Sequence, residues 1–274
     1  MRDESRNSPF RSADEDDLRA RHAPDTPQTR SPSYRLAYTD LDFLKREDLR
    51  PTRLQLELMK PELLLEEHGV KATVVIFGSA RTPGPDRPAD DPRRRDIEEA
   101  EELGRLVSCR EGACPEKLFV VTGGGPGIME AGNRGAHLAG AESIGLNIVL
   151  PHEQAPNRYI TPELCFQFHY FALRKMHFLM RARALACFPG GFGTLDELFE
   201  TLTLIQTGKI EPIPVLLFRR QWWEKLINFE QMVEAGMIAA SDLSLFRYVE
   251  SADEAWEIIR DYVCRRYTAR GEGR

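Results

Sequence analysis

KLFVVTGGGPGIMEAGNRGA, residues 117–136, is the stretch on which the fold turns. Its first six residues are a short apolar run of the kind a strand buried on both faces requires. The run stops at Gly123-Gly124-Gly125, and Pro126 then suits the first turn of a helix, where its missing N–H is not needed. Strand, glycine turn and helix in this order leave free N–H groups and the positive end of a helix dipole beyond the strand's carboxyl end. That combination favours a phosphate. Gly123, Gly124, Gly125, Gly127, Ile128 and Met129 are therefore candidate phosphate-binding positions.

The same unit recurs on both sides. Upstream, ATVVIF (72–77) ends at Gly78-Ser79; downstream, ALACF (184–188) ends at PGGFGT (189–194), with Gly190, Gly191, Gly193 and Thr194 as candidate ligands. Further apolar runs stand at 143–150 and 213–218. Helical patterns fall near 92–108, 171–183, 194–207, 221–236 and 252–264, and Gly208 is placed to cap the third of these. Short buried strands alternating with amphipathic helices predict an α/β fold: a Rossmann-like doubly wound parallel sheet in three α/β/α layers. Ligands of such sheets bind beyond the carboxyl ends of the strands. No Gly-Lys-Ser/Thr follows either glycine loop, so neither is a Walker sequence. Tight strand–helix turns alone would explain one such loop. Two of them and a Gly-Ser turn on one sheet point to a mononucleotide held between them.

Among charged residues, Glu197 follows Thr194 by three positions, the spacing of a capping box. At a helix N-terminus the dipole favours an ionised carboxylate, suited to stabilising an oxocarbenium-like sugar or activating a water and ill suited to a general acid. Asp196 and Glu200 are expected to face solvent or a neighbouring charge. Arg174, His177 and Arg181 fall at i, i+3 and i+7, one face of a helix. Arg174, set among Phe171, Met176 and Leu179, is a candidate anion ligand, with Lys175 a second phosphate ligand or a surface charge. His137, His152 and His169 lack metal-ligand spacing, and no metal is expected.

Residues 1–34 hold few large apolar side chains and read as a disordered tail; 35–69 read as a helical arm with two prolines as breaks, 70–266 as the nucleotide-binding domain, and 267–274 as a second tail. A net charge of −6 argues against a nucleic-acid partner. No apolar run is long enough for a membrane helix and no hydrophobic signal core opens the chain. The five scattered cysteines read as reduced thiols, so a cytoplasmic protein is expected.

These residues resemble the LOG ("Lonely guy") family of nucleoside 5′-monophosphate phosphoribohydrolases. The hallmark PGGxGTxxE stands as Pro189 to Glu197, its companion GGGPGIMEAGNRGA as residues 123–136, and the Arg-Lys pair as Arg174-Lys175. The likeness runs from about 72 to 262, and IGLNIVLPHEQAPNRYI with LIQTGKI is similar to the bacterial branch. The resemblance implies hydrolysis of the N-glycosidic bond of AMP, a similar nucleotide or a cytokinin riboside monophosphate. It implies Arg174 and Glu197 as the catalytic pair, no cofactor, and a homodimer or larger homo-oligomer, which the arm and the helix bearing Trp256 and Tyr262 would support. The lysine decarboxylase label often given to such sequences is rejected, because no lysine stands in a setting for pyridoxal phosphate. The rival reading is a non-catalytic nucleotide sensor or cofactor carrier on the same fold, which would need the glycine loops but not Arg174 and Glu197 together.

Overall fold

The computed structural model describes residues 9–82, 91–109, 116–151 and 155–271; Cys114 and His152 lie outside them. The chain divides into two compact units, with the division at Leu63/Leu64. In the first unit, the segment read as disordered carries α1 (Ala13–Ala20), whose N-terminus is capped by Ser12 Oγ accepting from the Glu15 N–H; none of its residues is buried. After α2 (Leu41–Leu44), α3 (Arg50–Glu67) crosses the division. The two prolines do not break α3. Pro51 sits in its first turn, where no N–H is needed, and Pro61 lies inside the helix, which continues one ladder bond short.

In the second unit seven parallel strands form one sheet in the order β4-β3-β2-β1-β5-β6-β7. The strands are β1 (Thr73–Phe77), β2 (Phe119–Thr122), β3 (Ser143–Ile148), β4 (Cys165–Phe168), β5 (Ala182–Cys187), β6 (Val215–Phe218) and β7 (Arg247–Val249). All residues of β1, β2, β3, β5 and β6 are buried, as their continuous apolar runs require. The chain winds outward from β1 through β2, β3 and β4, then returns to β5 on β1's other side and winds out through β6 and β7. The crevice between β1 and β5 is thus the topological switch point, where such sheets bind ligands.

Alternate residues face opposite layers. Val74, Ile76, Ala184, Ala186, Leu216 and Phe218 join a core built with α4 (Pro92–Ser108), α5 (Ile128–Leu138) and, at the chain's end, α10 (Ala252–Gly271). Trp256 and Tyr262 pack against this core. On the other face Phe77 meets Phe178 edge-on, 4.7 Å between centroids, from α6 (Phe171–Met180). The remaining helices are α7 (Phe192–Gln206), α8 (Arg220–Leu226) and α9 (Phe229–Glu234); the pattern at 221–236 is thus two helices and not one. A left-handed Gly208 (φ 69°) ends α7 as expected. α4 and α5 cross backbone to backbone: a Cβ on Gly135 would stand 1.9 Å from the Glu101 carbonyl oxygen. The second glycine of GNRGA therefore serves helix packing, not a ligand.

Candidate active site

Because β2, β1 and β5 are neighbours, their three glycine-bearing loops lie side by side. Backbone bonds fasten them: the Ser79 N–H donates to the Pro189 carbonyl (3.2 Å), and the Ile128 N–H donates to the Ser79 carbonyl (3.2 Å). The helix after the first loop starts at Ile128, two residues later than Pro126, because Gly127 is its cap at φ 70°. A side chain there would be strained, and its Cβ would meet the Ser79 carbonyl oxygen at 2.4 Å.

The loop at 123–127 is braced from below. Thr122 Oγ1 donates to Asn133 Oδ1 (2.7 Å) and accepts from the Gly124 N–H (3.0 Å). Asn133 Nδ2 donates to Ser143 Oγ (3.0 Å). Asn157 Nδ2 donates to Asn133 Oδ1 and to the carbonyls of Gly124 and Gly125, at 3.0, 3.2 and 3.1 Å. Sequence reasoning missed Asn133 and Asn157. A polar residue on the buried face of α5 was the available signal; the partner 24 residues away was not legible. Gly124 and Ile128 spend their N–H groups within the protein, so they shape the loop and do not offer donors.

The loop at 189–193 is open. Gly191, Phe192 and Gly193 are exposed, and the N–H groups of Gly190 and Gly191 have no acceptor among the described residues. Gly191 is the cap of α7, and Thr194 in its first turn donates its N–H to the Gly191 carbonyl (3.0 Å). Thr194 is buried, with its hydroxyl so close to Gly190 that a Cβ there would meet it at 2.1 Å. Since the cap is Gly191, Thr194 and Glu197 form no capping box.

Glu197 lies in the second turn of α7, only 6% exposed, and its carboxylate accepts no hydrogen bond from the described residues. Burial pushes its pKa from the usual 4.5 up to about 7, against the pull of the Lys175 and Arg174 charges. The expectation of a carboxylate held ionised by the helix dipole is therefore corrected: desolvation outweighs the dipole this far into the helix, and at neutrality the group is poised between its two forms.

Arg174, on α6, is half-buried. Its Nε donates to the Leu146 carbonyl (2.7 Å), its guanidinium lies 5.1 Å from the Phe178 ring centroid, and Nη2 is where a Cβ on Gly123 would come within 2.7 Å. Burial lowers its pKa and the Glu197 charge opposes that shift; an arginine remains a cation regardless. Its fork is thus fixed beside the first loop, electrostatically coupled to Glu197 without an ion pair. Lys175 instead bridges Asp196 (2.8 Å) and Glu200 (2.9 Å), which ties α6 to α7. Asp196 and Glu200 accordingly face a neighbouring charge. The shared face of Arg174, His177 and Arg181 is not realised: α6 ends at Met180, Arg181 donates Nε to the Val70 carbonyl (3.0 Å), and His177 is buried beside Phe168. Met129 Sδ stands near Gly123, where a Cβ would meet it at 2.9 Å.

A family model described as "Possible lysine decarboxylase" matches residues 129–259. The protein named cytokinin riboside 5′-monophosphate phosphoribohydrolase LOG1 of Arabidopsis thaliana is 32% identical over 152 residues, 54% of this chain and 69% of the relative. The chain belongs to the LOG family. LOG7 of the same plant is 33% identical over 147 residues, covering 52% of this chain and 64% of LOG7. A probable LOG enzyme of Oryza sativa is 29% identical over 154 residues, 53% and 69% of the two chains. Among solved structures, a structural-genomics target aligns at 24% identity and TM-score 0.47, covering 69% of this chain and 99% of the other. A molybdenum cofactor carrier protein from Chlamydomonas reinhardtii aligns at 20% identity and TM-score 0.45, covering 71% and 99%. At these scores neither bears on what this LOG-family chain does.

Among the described residues, no helix is long and apolar enough to cross a membrane, and no group of three or more His, Cys, Asp or Glu side chains could hold a metal ion. Cys109, Cys165, Cys187 and Cys264 form no disulfide among the described residues.

Proposed function

We propose that this chain hydrolyses the N-glycosidic bond of a nucleoside 5′-monophosphate to free base and ribose 5-phosphate. The observation that carries the reading is a buried carboxyl group, Glu197, with a pKa near 7 and no internal hydrogen bond, one turn beyond an open glycine loop at the switch point of the sheet. A structural carboxylate would be paired; an unpaired one in this place fits a group that meets a substrate. Relatives named phosphoribohydrolases support the same class.

In this mechanism the N–H groups of Gly190 and Gly191, the Thr194 hydroxyl and the first turn of α7 hold the 5′-phosphate. The C1′–N bond breaks, and its electron pair leaves with the base, which takes up a proton. Glu197, ionised, stabilises the positive charge developing at C1′ and accepts the proton of the attacking water. Arg174 stays charged and orients the phosphate or the departing base. Gly78, Ser79, Gly123, Gly125, Gly127 and Met129 frame the crevice. Lys175, neutralised by two carboxylates, positions α6 against α7.

The test is incubation with AMP, GMP, CMP, UMP and an N6-prenyl AMP, following free base by chromatography. Base release from a monophosphate, lost in Glu197→Gln, is the expected result, and the best base names the substrate. Tight nucleotide binding with no release from any member would replace the hydrolase by a nucleotide-binding sensor or carrier.

A further inference from the structure

A cleft of about 710 Å3 opens at the carboxyl ends of β1, β5 and β6, and neither Glu197 nor Arg174 lines it. It lies toward the β6–β7 half of the sheet, whereas Arg174 touches the loop and strand of the β2–β3 half. Its size is within the range of small-molecule sites, roughly 300–1,000 Å3. Five cationic side chains line it, Arg81, Arg93, Arg95, Arg219 and Lys225, against the carboxylates of Asp96 and Glu250. Arg93 is paired with Asp91 and Arg95 with Glu99, so the positive charge left without an ion pair among the described residues is that of Arg81 and Lys225, on a chain whose net charge is −6.

Arg219 is the centre of the cluster. Among the described residues it alone, apart from glycines, has a positive φ, 71°, an unfavourable conformation for a side chain of this size. Its Nε donates to Asp96 (2.7 Å) and its Nη1 to the Glu250 carbonyl (2.7 Å), while Nη2 is buried with no hydrogen bond. A buried guanidinium donor left unmet is costly unless something else meets it. Arg81 and Lys225 make no side-chain ion pair among the described residues. Ser79, Gly190 and Gly191, which belong to the site proposed for the monophosphate, form the edge that the cleft shares with that site, and the half-buried ring of Trp222 completes the wall on the far side.

We propose that this cleft is a second anion site that takes the phosphate chain of a nucleoside di- or triphosphate. Arg81 and Lys225 are its phosphate donors, the Arg219 guanidinium adds its charge at the wall, and Trp222 is the surface against which the base lies. Several separated cations suit a chain of phosphates better than a single one, and an aromatic wall beside them suits a base. Inorganic polyphosphate shares the phosphate chemistry but has nothing to set on Trp222.

The experiment is calorimetry of the full chain at low salt with ATP and with inorganic tripolyphosphate. It uses the wild type, an Arg81→Ala/Lys225→Ala double variant, Trp222→Ala and Thr194→Val. The expected result is that ATP binds, that the double variant weakens both ligands by about tenfold or more, and that Trp222→Ala weakens ATP alone. Base release from AMP stays at the wild-type rate in the double variant. No heat from either ligand at millimolar concentration would overturn the proposal. So would ATP binding lost in Thr194→Val but kept in the double variant, which would place ATP in the monophosphate site. Equal binding of ATP by the wild type and Trp222→Ala would overturn the nucleoside part. Because binding is read directly, a failure of the hydrolase assignment leaves this result standing, and the reverse holds too.

Discussion

The loops at 123–127 and 189–193 look alike in sequence and differ in kind. The first is held by Thr122, Asn133 and Asn157, and the N–H groups of Gly124 and of Ile128 just beyond it are spent inside the protein. The second is exposed, keeps its N–H groups free and leads within two turns to Thr194 and Glu197. Glycine richness therefore has two uses here. In one loop it lets backbone approach backbone; in the other it leaves exposed backbone, to which the proposed function assigns the phosphate. A substitution in the first should be felt in stability, and one in the second in substrate binding and turnover.

The largest effect is expected at the end of the open loop. Glu197→Gln keeps the shape and removes the proton acceptor, so kcat should fall by about 10^2–10^4 with the melting temperature not lowered; a kcat within a few-fold of wild type would remove Glu197 from the chemistry. Next is Asn133→Ala, which leaves Thr122 and Asn157 without their shared acceptor. It should cost about 1–3 kcal/mol in urea unfolding, and KM should move less than stability does. A Thr194→Val variant sharpens the contrast from the other side: KM for the monophosphate should rise by about tenfold, the loss of one hydrogen bond to a charged group, while unfolding changes little.

The smallest effect follows from the carboxyl group itself. Glu197 binds its proton more tightly folded than unfolded, so the stability it contributes is complete below pH 4.5 and lost as pH rises through about 7. Glu197→Gln should therefore be more stable than wild type by about 1–3 kcal/mol at alkaline pH and equal to it in acid. Equal stability at both extremes would mean that the group is not buried as described. In the wild type, kcat/KM should rise with pH toward a plateau above about 7, because the proposed mechanism uses Glu197 in its ionised form.

Much of the fold was legible. Continuous apolar runs ending in glycine identified β1, β2 and β5 and hence the parallel sheet. The edge strands β4 and β7 were not, because Cys165–Phe168 and Arg247–Val249 are short and carry no continuous apolar run. The Thr194–Glu197 spacing suggested a capping box, but the cap is set by the backbone of Gly191, which spacing alone cannot reveal. The protonation of Glu197 is hidden from the sequence for a related reason: the dipole is local and readable, whereas desolvation depends on the burial of the side chain in the folded protein. The Asn133 network and the cleft around Arg219 both join residues from distant loops, so no local pattern announces them.

The most direct test is the ratio of kcat/KM for AMP to that for adenosine, measured in the wild type, Asn133→Ala and Thr194→Val. The account predicts a large preference for the monophosphate that survives Asn133→Ala and collapses in Thr194→Val. A preference that collapses in Asn133→Ala and survives in Thr194→Val would assign the phosphate to the first loop and contradict the account.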